Sequence, residues 1–266
     1  MILEEIQVEM TSMEPMNVDG NPVFCTKDLC YVYNDRITAL DHVSLTVRPG
    51  ETVAILGSNG SGKSTLLKIL DGLYFPKSGS ITAFGQLLTE DRLREDQFNF
   101  DFRSRVGFVF QDSDAQLFMP SVWDEIAFGP LQLGIDRQDL VNRVESALAA
   151  LQIEKLRDRP PHQLSGGEKK RVALASVLSL SPEVWILDEP SAGLDPRSAA
   201  WLKSFILSQA KIGKTMIVST HDLAFVEATA DRLYVLDESH QISAEGNPAE
   251  ILSDRSMLLK ANLIQE

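Results

Sequence analysis

Hydrophobic and polar residues alternate through Val43-Ser44-Leu45-Thr46-Val47, the period of a strand with one buried face. Arg48-Pro49-Gly50-Glu51 interrupts the pattern as a turn. Thr52-Val53-Ala54-Ile55-Leu56 follows as a short apolar run, which reads as a buried strand. Leu66, Leu67, Ile69 and Leu70 then recur at helical spacing. Further short apolar runs lie at 106–110, 184–187, 216–218 and 233–236, and helical stretches at 137–151, 166–180 and 197–212 separate several of them. This alternation predicts an α/β fold on a parallel sheet. Residues from about 112 to 180 carry no strand run and read mainly as helix, which predicts a helical subdomain inserted into the sheet domain. There is no internal repeat.

Composition narrows the class. The 266 residues suit one large domain or two small ones, with 44% hydrophobic and 24% charged residues. The net charge of −13 and the lack of clustered Lys and Arg argue against a nucleic-acid partner. The longest stretch free of charge, 78–89, contains Ser, Thr, Gly and Gln, whereas a membrane-spanning helix needs about 20 mostly apolar residues. Residues 1–26 hold Glu4, Glu5, Glu9, Glu14 and Asp19 without Lys or Arg, unlike the basic start of a secretory signal. Residues 1–22 read as a disordered acidic extension ending in a turn. Cys25 and Cys30 are too few for a disulfide framework or a four-ligand zinc site and read as reduced thiols. The expectation is a cytosolic protein that meets a membrane only through a partner.

Gly57-Ser58-Asn59-Gly60-Ser61-Gly62-Lys63-Ser64 matches the phosphate-binding pattern G-x-x-x-x-G-K-S/T. It falls where such a loop must, between a buried strand and a helix. Small residues let consecutive backbone N–H groups curl round a phosphate, and the helix start adds partial positive charge. Lys63 would reach the β- and γ-phosphates, and the Ser64 hydroxyl would bind Mg²⁺. In Val184-Trp185-Ile186-Leu187-Asp188-Glu189, four apolar residues precede two acids, which puts both acids at the carboxyl end of a strand, where ligands of open parallel sheets sit. There Asp188 could hold Mg²⁺ through water, and Glu189 could orient or deprotonate an attacking water. Between these segments, Leu164-Ser165-Gly166-Gly167-Glu168 opens a helix and offers a further anion site, which makes sense if it closes over the ATP of another copy.

The Leu-Ser-Gly-Gly segment, set between the phosphate loop and Asp188-Glu189, resembles the ATP-binding-cassette (ABC) ATPases. The remaining motifs fit over about residues 23–250. Gln111 looks like that family's glutamine loop. Ser191-Ala192-Gly193-Leu194-Asp195 looks like its D-loop, His221 like its switch histidine, and Tyr33, with Tyr31 close by, like its adenine-stacking aromatic. The resemblance implies a P-loop NTPase fold, an ABC-type ATPase with a mixed-sheet core and an inserted helical subdomain. It implies two copies, or this chain and a related ATPase subunit, sandwiching Mg·ATP. Tyr33, Gly57, Ser58, Asn59, Gly60, Ser61, Gly62, Lys63, Ser64 and Thr65 of one copy would hold the nucleotide. Leu164, Ser165, Gly166, Gly167 and Glu168 of the other copy would cover it. Ser64 and Gln111 would ligate Mg²⁺ with Asp188 behind them. Glu189, His221, Lys63 and Gln111 would carry hydrolysis, and Asp195 would communicate across the pair.

A narrower resemblance runs through Val109-Phe110-Gln111-Asp112, Gln116-Leu117-Phe118, the stretch from Asp124 to Pro130, and the stretch from Pro161 to Arg171. It is similar to the energy-coupling-factor subfamily, above all its cobalt or nickel uptake ATPases. That implies an ATP-hydrolysing subunit of an importer of a transition metal or vitamin, peripheral on the cytoplasmic face of the cell (inner) membrane and bound to integral membrane subunits. The alternatives are the ATPase of a lipid, lipoprotein or other metal transporter, and a soluble ABC ATPase acting on nucleic acid or ribosomes. The sequence departs from the subfamily in its longer N-terminal extension, a short insertion at 97–103, and a brief region after Leu236 with a helical tail at 251–266. Lys169-Lys170-Arg171 is expected on a solvated helix face and Trp185 in the core, while His42, His162 and His240 show no spacing for a metal site.

Overall fold

The computed structural model describes residues 21–265. The extension expected over 1–22 lies outside the described residues apart from Asn21 and Pro22. Among the described residues two compact units emerge, Asp112–Pro182 in one and 21–111 with 183–265 in the other.

The larger unit contains two sheets. The first is antiparallel and holds β1 (Phe24–Tyr33), β2 (Ile37–Val47), β4 (Ser78–Ala83) and β5 (Gln86–Leu87), in the order β2-β1-β4-β5. The second holds β3 (Thr52–Leu56), β6 (Val106–Val109), β7 (Val184–Asp188), β8 (Thr215–Thr220), β9 (Arg232–Leu236) and β10 (Ile242–Gly246). Its order is β10-β9-β3-β8-β7-β6. Only β10 runs antiparallel to its neighbour. The alternating pattern therefore holds for the second sheet. The first sheet is largely new, because β1 and β4 lack a clean period of two and β2 starts at Ile37, ahead of the alternating stretch.

Every residue of β3, β7 and β8 is buried, as continuous apolar parallel strands require. Helix α1 (Lys63–Leu70) follows β3 and buries Leu66, Leu67, Ile69 and Leu70 in a core shared with Val53, Ile55, Ile186 and Tyr234. Each such side chain contributes about 1.5–3 kcal/mol on burial. Helices α2 (Glu90–Leu93) and α3 (Asp96–Arg105) precede β6. The segment expected as an insertion is thus part of a helix that ties the chain together. Arg103 Nη1 donates to the carbonyl of Asp71 at 2.9 Å and to its Oδ2 at 3.0 Å.

The smaller unit packs helices α4 (Val122–Gln132), α5 (Arg137–Ala150) and α6 (Gly166–Leu178) on one another, and no strand is assigned in it among the described residues. The basic triplet at the start of α6 is not a solvated face. Lys170 is buried, Lys169 Nζ pairs with Asp114 Oδ1 at 2.5 Å, and Arg171 Nη1 donates to the carbonyl of Leu151 at 2.9 Å. The apolar stems of these side chains serve packing while their heads find fixed partners.

Back in the larger unit, α7 (Pro196–Lys211) leads to β8, and α8 (Leu223–Thr229) lies between β8 and β9. Trp185 is fully buried and meets Phe205 of α7 edge-on at 5.5 Å. After β10, α9 (Pro248–Ser253) and α10 (Arg255–Lys260) return to the sheet, where Leu258 and Ala261 pack with Val226, Leu233 and Val235.

Candidate functional site

Register explains how distant segments meet. In the parallel sheet Leu56 pairs with Thr220, Asp188 with Ser219, and Val109 with Leu187. The loops leaving β3, β8, β7 and β6 therefore emerge along one edge. They carry Gly57, His221, Glu189 and Gln111, whose sequence separations vanish in the fold.

The loop after β3 is fixed by glycines. Gly62 has φ 113° at the N-cap of α1, and a Cβ there would run into the carbonyl oxygen of Ala39. No side chain caps α1, so the start of this helix carries no internal acceptor of that kind. The buried hydroxyls of Ser58 and Ser61 hydrogen-bond no group among the described residues. Asn59 and Gly60 are exposed at the loop tip.

Lys63 is only 4% exposed. Its Nζ donates to the carbonyls of Gly57 at 2.9 Å and Ser58 at 3.1 Å, and pairs with Glu189 Oε1 at 3.0 Å. The other carboxylate oxygen of Glu189 lies 3.1 Å from Nδ1 of His221, whose ring is largely exposed. Glu189 sits at φ 39°, the left-handed region. Its backbone N–H donates to Ser219 Oγ at 2.9 Å, and that hydroxyl donates to Asp188 Oδ1 at 2.7 Å. Ser64 Oγ reaches the same oxygen at 2.9 Å. Ser219 lies among these residues although motif reading passes over it, and a polar side chain directly after the apolar run Met216–Val218, two residues before His221, is the available signal.

Of the expected residues, the structure thus brings together Lys63, Ser64, Asp188, Glu189 and His221. Gln111, exposed one residue beyond Phe110, leaves β6 at the same edge. Tyr33 closes β1, and its hydroxyl lies 3.0 Å from Thr65 Oγ1 in α1. Its ring stands edge-on to Tyr31 at 5.0 Å and to Tyr74 at 6.0 Å. Asp195 caps α7 through Arg197 N and Ser198 N, and the hydroxyl of Ser198 with these bonds holds its carboxyl below the usual range.

In the smaller unit Leu164 is buried, while Ser165 and Gly166 are exposed at the start of α6. Ser165 and Glu168 form a reciprocal capping box. The Ser165 hydroxyl and N–H donate to Glu168 Oε2 at 2.7 and 2.8 Å and draw that carboxyl below its ordinary value. Gly166 has open space where a Cβ would stand, and Gly167 follows in the first turn.

A glycine-built loop between a central parallel strand and a helix, its lysine paired to an acid from a nearby strand, defines a P-loop nucleoside triphosphatase. A family model described as "ABC transporter" matches residues 40–192. The chain belongs to the ABC transporter family and is an ATPase of that family. It is 47% identical to the nickel import ATP-binding protein NikO of Rhodobacter capsulatus, over 91% of this chain and 96% of that one. It is 42% identical to the energy-coupling factor transporter ATP-binding protein EcfA of Methanocaldococcus jannaschii, over 90% and 84%. Among solved structures, CbiO1 of Clostridium perfringens, part of the ABC transporter complex CbiONQ, is similar with TM-score 0.77 and 36% identity, covering 91% of this chain and 95% of that one. A cassette solved as a dimer in a post-hydrolysis state with ADP and Pi is similar with TM-score 0.75 and 26% identity, covering 85% and 98%. Likeness to the cobalt–nickel and energy-coupling-factor branch agrees with the narrower resemblance in the sequence.

Proposed function

We propose that this chain is the ATP-hydrolysing subunit of a membrane importer and that it drives uptake of cobalt or nickel, or else a vitamin, through separate membrane subunits. The observation that carries the reading is its 47% identity, over nearly the full length of both chains, to a protein named for nickel import. No described helix is long and apolar enough to cross a membrane, so the route for the substrate belongs to partner chains. The chain would sit peripherally on the cytoplasmic face of the cell membrane.

In this reading Tyr33 stacks on adenine, and residues 57–65 surround the phosphates. Lys63 exchanges its internal partners for phosphate oxygens. Ser64, Asp188 and Gln111 form the all-oxygen donor set that suits Mg²⁺, which when bound neutralises phosphate charge. The unpaired hydroxyls of Ser58 and Ser61 and the uncapped start of α1 support an anion in this loop. Glu189, freed from Lys63, accepts a proton from the attacking water, while His221 holds the γ-phosphate and the loop of Glu189. The start of α6, with Leu164, Ser165, Gly166, Gly167 and Glu168, faces the nucleotide of a second copy or a related subunit. Asp195 carries the state of one site to the other. Binding of ATP closes the pair and hydrolysis opens it, a switch biased by the γ-phosphate.

Purification of the tagged chain from detergent-solubilised membranes tests the partners, and uptake of radiolabelled nickel and cobalt by a deletion strain tests the substrate. Co-elution of integral membrane proteins and loss of metal uptake are expected. Retention in the soluble fraction with ribosomal RNA would overturn the transport reading. Normal uptake of both metals, with membrane partners present, would leave an importer of a vitamin or a transporter of a different cargo.

A further inference from the structure

The β1–β2 hairpin carries a cluster that the nucleotide site does not use. Leu29 pairs with Val43 and Tyr31 with Leu40, so one residue of β1, Cys30, stands opposite two of β2, Asp41 and His42. This is a β-bulge, which bends a strand and re-aims the side chains beside it. His42 takes up the irregularity at φ 52°. One sulfur, one carboxylate oxygen and one imidazole nitrogen of these residues lie within 4.8 Å of one another. The cysteine and histidine are twelve positions apart, which is why linear spacing conceals the pair.

Hydrogen bonds already order the cluster. His42 Nδ1 is 2.8 Å from Asp41 Oδ1, and the backbone N–H of His42 donates to Cys30 Sγ at 3.4 Å. Gln241 Nε2 donates to the second oxygen of Asp41 at 2.5 Å, fixing the carboxylate from outside. Such outer support is what orients ligands in metal centres. The thiol points toward the carbonyl of Asp28 at 3.8 Å. His42 is exposed and Cys30 and Asp41 half-buried, so an ion has access from solvent.

We propose that Cys30, Asp41 and His42 form a binding site for one divalent transition-metal ion of the zinc, cobalt or nickel type. The donor set of one soft sulfur, one imidazole and one hard oxygen selects such borderline ions over Mg²⁺ or Ca²⁺, which prefer oxygen alone. Three protein ligands leave a fourth position for water. Binding replaces the thiol hydrogen by the metal and releases one proton to solvent, so affinity rises with pH. The site is also joined to the phosphate loop. Asp41 N–H donates to the carbonyl of His240 at 3.0 Å, and His240 Nδ1 is 3.0 Å from the carbonyl of Ser61. The proposal does not rest on which substrate the transporter carries.

Titration of the full-length, reduced, chelator-stripped protein with Co²⁺, without nucleotide and without oxygen, tests the site. One equivalent should bind with a near-ultraviolet thiolate-to-cobalt charge-transfer band, and Zn²⁺ should displace it. Cys30→Ser should abolish the band, Cys25→Ser should retain it, and His42→Ala and Asp41→Asn should each weaken binding about tenfold or more. Unchanged circular dichroism and retained ATPase activity in Cys30→Ser would show that the loss is local. Absence of the band at millimolar Co²⁺, or a band that survives Cys30→Ser, would overturn the proposal and leave the trio as a surface hydrogen-bonded group.

Discussion

Replacing Ser219 by Ala removes one oxygen that serves both acids of the site. Ser219 is fully buried, accepts from Glu189 N at 2.9 Å and donates to Asp188 Oδ1 at 2.7 Å. A buried N–H left without a partner costs about 1–3 kcal/mol, and a lost hydrogen bond to a charged group about 1.5–3 kcal/mol. Ser64 still donates to the same oxygen of Asp188, so the second loss is partly offset. The expected fall in unfolding free energy is about 2–4 kcal/mol. The same bond pins Glu189 at φ 39°, a conformation that costs about 1–2 kcal/mol for a residue with a side chain. Once released, the backbone relaxes and the Glu189 carboxylate moves off His221 and out of the position proposed for meeting the attacking water. Turnover should then drop about ten- to a hundredfold, as for a displaced catalytic group, while KM for ATP changes less than about threefold. Urea unfolding followed by circular dichroism and steady-state phosphate release measure the two effects. A variant within about 0.5 kcal/mol of the parent and within twofold of its turnover would refute this account of Ser219.

Glu189→Gln keeps the shape of the side chain but removes the proposed base. ATP binding, measured by equilibrium dialysis, should persist while hydrolysis falls by about two orders of magnitude or more. Gly62→Ala forces a Cβ against the Ala39 carbonyl at φ 113°, so nucleotide affinity should fall at least about tenfold by the same measurement. Asp71 is pushed up to about 6 by burial, against the pull of Arg103, from an ordinary 3.8. Its folded pKa is the higher one, so its contribution is full below pH 3.8 and is lost as pH rises through 6. Chemical unfolding of the parent should show a fall of about 2–3 kcal/mol from this group between about pH 4 and 7, and Asp71→Asn should lack that component.

The parallel sheet is legible because its strands are apolar runs bounded by turns, and burial on both faces leaves no other reading for Val53–Leu56 or Val184–Leu187. The phosphate loop and the acids at the end of β7 are legible for a related reason. Their chemistry demands fixed residue types at fixed places next to those runs. The antiparallel sheet is poorly legible, since β1 mixes buried and exposed positions around bulges that no local pattern announces. Ser219 is hidden because its contacts depend on register between strands distant in the chain, and the Cys30–Asp41–His42 group because it depends on a bulge in the register of one hairpin. Lys170 is misplaced by its charge, because a charged head says little about where its aliphatic stem lies.

Lys63 has three ammonium hydrogens, and three protein oxygens surround them: the carbonyls of Gly57 and Ser58 and the carboxylate of Glu189. The arrangement is stoichiometrically full. In the proposed mechanism, entry of a triphosphate is consequently an exchange of partners, not the filling of a vacant cation. Its net affinity is the difference between two sets of charge-assisted bonds, and is weaker than the new contacts alone would give. The lysine and the acid neutralise one another out of reach of solvent. Under the proposed mechanism one event frees both groups, so the arrival of phosphate at Lys63 and the release of the Glu189 carboxylate are coupled through a single ion pair.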